Sequence, residues 1–212
     1  MMTKNQELTL TCDRLGADLE GICELDRQTV FVTGALPGET FDAKVLQVRP
    51  RYAFAKLTKL QNASPERVEP FCPAYVYCGG CSGQHMRYQL TLDAKRQQVY
   101  DCLTRIGGLT LTSDEVPTVL GAESTTRFRN KTSLPVGGTA DAPMLAFFKR
   151  RSHSIVDIND CPVAMGPLAD VIRVVKSWIK CAKVAPYNEL TFKGLLRHVI
   201  VRTTRSGELM VL

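Results

Sequence analysis

Four cysteines constrain this chain more than any other feature. Cys72, Cys78 and Cys81 follow the spacing Cys-x5-Cys-x2-Cys, and Cys161 stands alone far downstream. Cys-x-x-Cys lets two thiolates reach one centre from a tight turn, and Gly79-Gly80 between them frees the backbone to make it. A third thiolate from a short upstream loop and a fourth from a distant strand would close a four-thiolate site. Such a site suits zinc or an iron–sulfur cluster. Cys72 and Cys161 each precede a proline, Pro73 and Pro162. Cys-Pro steps recur at cluster ligands, where the fixed φ stiffens the loop. Zinc sites more often use two Cys-x-x-Cys pairs, and only one is present. The spacing therefore favours a cluster, with zinc second and a redox or purely structural set third.

The chain has eight cysteines in 212 residues, too few for a disulfide scaffold. Clustered cysteines in a chain without a secretion signal point to metal before disulfide. Cys12 and Cys23 lie in strand patterns, and Cys102 and Cys181 in helical ones. All four read as small buried hydrophobes. No apolar run approaches the roughly 20 residues of a membrane span, and Met1 to Leu10 lacks a signal-peptide layout. The expectation is a cytoplasmic protein that does not touch the membrane.

The net charge of +6 is unevenly placed. Residues 1–61 carry eight basic and eight acidic side chains. Residues 62–212 carry nineteen and thirteen, so the whole excess lies there. A basic surplus favours polyanions such as nucleic acid, and a solvated basic surface is the bland alternative.

Residues 6–61 read as about five short strands, among them Glu7 to Cys12, Gln28 to Val32, Phe41 to Val48 and Tyr52 to Leu60. Leu36-Pro-Gly-Glu39 is a turn signal. Five short strands in so few residues suggest a small OB-type barrel. Asn62 to Pro70 reads as a linker. Met86 to Ile106 has helical spacing, with Leu90, Leu92, Val99, Leu103 and Ile106 apolar, and Gly107-Gly108 would end the helix. Val116 to Phe148 reads as strands with a tip near Gly137-Gly138. Pro167 to Lys183 reads as a second helix, with Leu168, Val171, Ile172, Val175 and Ile179 facing inward. Arg197 to Arg202 and Leu209 to Leu212 read as a hairpin. The fold class expected is mainly β with α: a five-stranded barrel in residues 1–61, then an α+β domain in 62–212 that carries the cysteine site.

The segment Cys72-Pro-Ala-Tyr-Val-Tyr-Cys-Gly-Gly-Cys-Ser-Gly-Gln-His-Met86 resembles the RNA uracil-C5 methyltransferases, and within them the iron–sulfur branch acting on 23S ribosomal RNA. Arg127-Phe-Arg-Asn-Lys131, Ser152 to Pro162, and Gly194-Leu-Leu-Arg-His198 with Gly207-Glu-Leu-Met-Val211 resemble further family segments in order. Asp18-Leu-Glu-Gly21 and Pro37-Gly-Glu39 resemble the TRAM domain, an RNA-binding OB-like module. The resemblance implies a [4Fe-4S] cluster on Cys72, Cys78, Cys81 and Cys161, S-adenosylmethionine as methyl donor, and 23S rRNA as partner of a monomer.

Family members are about twice as long. The resemblance implies a Rossmann-like domain that binds S-adenosylmethionine and carries a nucleophilic cysteine in an Asp-Pro-Pro-Arg context. No Asp-Pro-Pro and no strand followed by Gly-x-Gly occurs here. The expectation is a chain cut off before the catalytic domain, with no catalytic residue of its own and inactive alone. A stand-alone, non-catalytic RNA-binding module is the alternative. The RNA contacts expected are Arg127, Arg129 and Lys131, alternating on one strand face, then Lys149, Arg150, Arg151 and His153 past the hairpin, and Arg197. Phe128, Phe147 and Phe148 interleave with them and read as core before stacking platforms.

Overall fold

The computed structural model describes residues 2–212. The chain forms two compact units that interleave in sequence. One comprises Met1–Pro70 with Ser82–Gly121, the other Phe71–Cys81 with Ala122–Leu212. The loop bearing Cys72, Cys78 and Cys81 thus packs with the segment bearing Cys161.

In the first unit, strands β1 (Glu7–Thr11), β2 (Arg14–Leu15), β3 (Gly21–Leu25), β4 (Gln28–Thr33), β5 (Thr40–Val48) and β6 (Tyr52–Asn62) form one sheet in the order β1-β5-β6-β4-β3-β2. Alternate residues point inward, as a half-buried strand requires. Val30 and Val32 of β4, Phe41 and Ala43 of β5, and Ala53 and Ala55 of β6 are buried in a core shared with Leu10, Cys12 and Cys23. Three register shifts between β5 and β6 bend the sheet. It curls far enough for Asp13 N–H to reach Ile22 O, at 2.9 Å. The sheet has six strands rather than five, because the two-residue β2 pairs with β3.

Glu39 is fully buried among these apolar side chains. Its carboxylate accepts Nε of Arg67 at 2.6 Å, Nη2 of Arg67 at 2.6 Å, Leu36 N–H at 2.8 Å and Ser64 N–H at 3.1 Å. Residues 62–70 are therefore not a free linker. Arg67 clips them to the barrel, also donating to Gly34 O at 2.7 Å. Helix α1 (Tyr88–Asp101) follows, and Cys102–Ile106 continue it as a π turn. Only Thr91 and Leu92 of α1 are buried, and Val99 and Ile106 are exposed. The wider π turn rotates the last residues off the α-helical face.

In the second unit, β7 (Lys131–Gly138), β8 (Pro143–Phe148), β9 (Ile155–Asp157), β10 (His198–Thr203) and β11 (Leu209–Val211) form an antiparallel sheet in the order β11-β10-β7-β8-β9. Helix α2 (Leu168–Cys181) packs on β8 through Leu168, Val171, Ile172 and Ile179. Leu134, Val136, Leu145, Val199 and Val201 complete the core. Strand structure begins at Lys131, well after Val116. Cys102 and Cys181 are exposed, contrary to their expected burial, whereas Cys12 and Cys23 are buried. Among the described residues, no helix is long and apolar enough to cross a membrane.

Candidate functional site

The cysteine loop is built from turns. Tyr75 N–H donates to Cys72 O at 3.0 Å and Cys78 N–H to Ala74 O at 2.8 Å. Cys78 then bridges Lys149, and Gly79 N–H donates to Phe148 O at 2.9 Å. A Cβ on Gly79 would stand 3.0 Å from that carbonyl and 3.2 Å from Arg150 Cα, so glycine permits the close approach. Cys161 lies on the loop between β9 and α2, not on a strand. Ala164 N–H turns back to its carbonyl at 3.0 Å.

Cys161 is buried, and Cys81 packs against the same core. Burial pushes the Cys78 thiol up. Gly80 N–H, 3.3 Å from its sulfur, pulls it down, and the charges of Cys81, Cys161 and Cys72 raise it again. Burial also raises the Cys161 thiol, two backbone N–H groups lower it, and Cys81 raises it against the pull of Arg129. The loop with Cys72, Cys78 and Cys81 and the segment with Cys161 belong to the same compact unit. Among the described residues, however, no three His, Cys, Asp or Glu side chains stand at the spacing of a single metal ion.

Three of the expected RNA-contact arginines are occupied with this architecture. Arg127 precedes β7 with a left-handed backbone (φ 53°), which breaks the expected strand alternation. Its guanidinium grips Asp160 at 2.6 and 3.2 Å and donates to Cys161 O at 3.2 Å. Arg127's hydrogen bond holds the Asp160 carboxyl below the usual carboxylate range, outweighing partial burial. Arg129 donates to Gly80 O at 3.2 Å and Arg150 to Cys81 O at 2.6 Å. Guanidiniums thus hold the carbonyls of Cys161 and Cys81 and of Gly80, between Cys78 and Cys81. Lys131, Lys149, Arg151, His153 and Arg197 are exposed. Phe147 packs on the core, Phe148 is half-buried and Phe128 is exposed.

A second group lies beside the β7–β8 hairpin. The rings of Phe148 and His153 stack at 5.0 Å. His153 Nδ1 is 2.6 Å from Glu189 Oε2, and Arg197 Nη2 is 3.4 Å from Glu189 Oε1. The Arg197 guanidinium sits over the Tyr187 ring, 5.1 Å from its centre. Glu189 and Tyr187 were not singled out in the sequence. They lie in a loop without periodicity, and no local signal marks them.

Residues 2–58 match the TRAM domain family. A protein of Clostridium tetani named an uncharacterized RNA methyltransferase is 40% identical over 98% of this chain and 45% of its own length. One of Listeria monocytogenes with the same designation is 35% identical over 100% of this chain and 46% of its own. The crystal structure of Pyrococcus abyssi tRNA (uracil-54, C5)-methyltransferase in complex with S-adenosyl-L-homocysteine superimposes with a TM-score of 0.66 at 28% identity. The match covers 95% of this chain and 44% of that one. The chain therefore spans about half the length of the relatives it matches.

These matches correct two expectations, namely that the catalytic domain is absent and that the chain is inactive alone. Nearly every residue aligns with proteins named methyltransferases, one of them solved with S-adenosyl-L-homocysteine. The lack of Asp-Pro-Pro and Gly-x-Gly signatures was too weak a ground for either. The match runs through both units of this chain, whereas a short motif is only one local pattern.

Proposed function

We propose that this chain recognises RNA within an S-adenosylmethionine-dependent RNA uracil-C5 methyltransferase, with 23S rRNA as its substrate. The observation that carries the reading is a TRAM match in residues 2–58 followed by a unit whose exposed loop, Lys149 to His153, is basic. Lys131, Lys149, Arg151, His153 and Arg197 contact RNA directly. Arg127, Arg129 and Arg150 act chiefly by fixing the cysteine loops and add positive potential from there. Phosphate contacts of this kind release counterions, so affinity falls steeply with salt.

Cys72, Cys78, Cys81 and Cys161 hold a [4Fe-4S] cluster in this proposal. The donor set suits it: four thiols in one compact unit, three of them on one short loop. When bound, the cluster supplies a rigid thiophilic cross-link. The residues around it orient the ligand loops through their carbonyls. Anaerobic purification tests this: a brown protein absorbing near 400 nm, with iron and sulfide, supports the cluster, and a colourless one containing zinc overturns it.

The substrate is tested in cells lacking the gene. Loss of 5-methyluridine from 23S rRNA supports the reading, and loss from tRNA alone assigns the substrate class of the Pyrococcus neighbour instead. At the level of the chain, fluorescence anisotropy with structured 23S fragments and with tRNA should show salt-dependent binding that prefers the former.

A further inference from the structure

The cleft between the β7–β8 hairpin and the loop at 185–197 encloses about 550 Å³, lined by Phe148, His153, Tyr187, Glu189 and Arg197 among others. We infer that it is a receptor for one unpaired guanine of the RNA, distinct from the uracil that would be methylated. The inference rests on the RNA-binding reading and adds a base-specific subsite to it.

The walls are planar. His153 stacks on Phe148 at 5.0 Å with 28° between the rings, and its own ring is 76% exposed at the side chain, so its outer face is open to a base. Tyr187, topped by the Arg197 guanidinium, gives a second flat surface. Bases stack on such surfaces whatever their sequence.

Specificity comes from the polar groups between the walls. Hydrogen bonding from His153 lowers the Glu189 carboxyl against slight desolvation, and Arg197 adds to this. Glu189 is therefore an anion, which can only accept, and His153 Nδ1 must be the donor in their contact. A carboxylate with two oxygens offers two parallel acceptors. Guanine alone among the four RNA bases presents two adjacent N–H donors on its Watson–Crick edge, N1–H and the N2 amine. Each Glu189 oxygen keeps a lone pair beyond its contact with His153 or Arg197, so a guanine in the plane between the walls can present N1–H and the N2 amine to this carboxylate. Adenine presents its donor and acceptors in the wrong order, and uracil has a single N–H.

The loop is made to hold Glu189 still. Asn188 Oδ1 accepts Leu190 N–H at 2.9 Å and Thr191 N–H at 3.0 Å, and Asn188 N–H donates to Lys193 O at 2.7 Å. Gly194 has φ +112°, and a Cβ there would strike Pro186 O at 2.2 Å. Exposed Lys149 and Arg151, on the loop that carries His153, supply charge for the flanking phosphates.

The test uses the full chain and labelled seven-nucleotide oligoadenylates whose central base is guanine, inosine, adenine or uracil. Binding is read by anisotropy at low salt. The guanine oligomer should bind at least about fivefold tighter than the other three, the discrimination of one good bidentate pair. Inosine keeps O6, N7 and N1–H but lacks the N2 amine, so it isolates the Glu189 contact without altering the protein. Glu189→Gln should shrink the guanine advantage below about twofold. Equal binding of guanine and inosine by the native chain overturns the inference while leaving RNA binding intact. A preference for uracil or adenine overturns it as well. No salt-sensitive binding of any oligomer or of rRNA would sink the RNA-binding reading together with it.

Discussion

Each unit holds an arginine that grips a carboxylate with two hydrogen bonds, and the two pairs differ in what surrounds them. Glu39 is fully buried in the barrel, with the Arg67 side chain 25% exposed. Asp160 and Arg127, beside the cysteine loop, are 35% and 49% exposed. The closest contact is 2.6 Å in both. Geometry is thus held nearly constant while burial changes. In water an ion pair gains little, because solvent screens it and competes for its hydrogen bonds. In an apolar core the same pair is costly to form and more costly to break, since the surviving partner cannot be resolvated. The barrel pair is a structural clip, and the exposed pair orients a loop.

The largest effect should come from removing the buried partner's counterion. Arg67→Ala leaves the Glu39 carboxylate among apolar side chains and should destabilise the first unit by about 3–5 kcal/mol in denaturant titration. A loss below about 1 kcal/mol would show that the two pairs do not differ as described.

Acid should probe the same pair. Burial alone would push the Glu39 carboxyl up, but Arg67 and the N–H groups of Leu36 and Ser64 outweigh it, and the net shift is downward. A carboxyl depressed in the folded state contributes stability in full above its unfolded value, about 4.3. That contribution is lost as pH falls from there through the folded value. The denaturation midpoint should therefore drop below about pH 4.3 in the native chain. Glu39→Gln should lack this component, and parallel curves for the two would contradict the assignment.

The cysteine loop permits a test of intermediate size. Gly79→Ala drives a methyl against Phe148 O at 3.0 Å and Arg150 Cα at 3.2 Å, both backbone. It should cost about 1–3 kcal/mol. Gly80→Ala meets nothing nearer than Cys78 Sγ at 3.4 Å and should cost clearly less. Thermal melts of the two variants compare them directly.

Much of the barrel could be read from the chain, because strand alternation is a local signal. Val30, Val32, Phe41, Ala43, Ala53 and Ala55 all face inward as period two requires. The α2 stripe was equally plain at Leu168, Val171, Ile172 and Ile179. The Glu39–Arg67 clip was not, since its partners are 28 residues apart and a buried ion pair has no periodicity. Arg127 misled for a related reason. It sits next to a strand pattern, yet φ 53° turns its side chain to Asp160, 33 residues on. The cysteine spacing announced convergence on one unit, but not the arginines that hold the loops. Charge runs record sign, whereas partners are chosen by the tertiary fold.

The smallest effect is expected at the exposed pair, and it separates stability from orientation. Asp160→Ala removes the carboxylate but leaves Arg127 its bonds to Cys161 O and Ala164 O, at 3.2 and 3.3 Å. With solvent at hand to replace the lost partner, the cost should stay below about 1 kcal/mol. Arg127→Ala removes all of these contacts and leaves the Cys161 carbonyl only the bond from Ala164 N–H, so the loop should loosen even where the melting curve hardly moves. Amide hydrogen exchange at residues 161–164 distinguishes the two variants. Exchange should rise more in Arg127→Ala than in Asp160→Ala. Equal protection in both would mean that the guanidinium is a surface charge with no hold on the cysteine loop, and the contrast with Arg67 would then be one of kind rather than of degree.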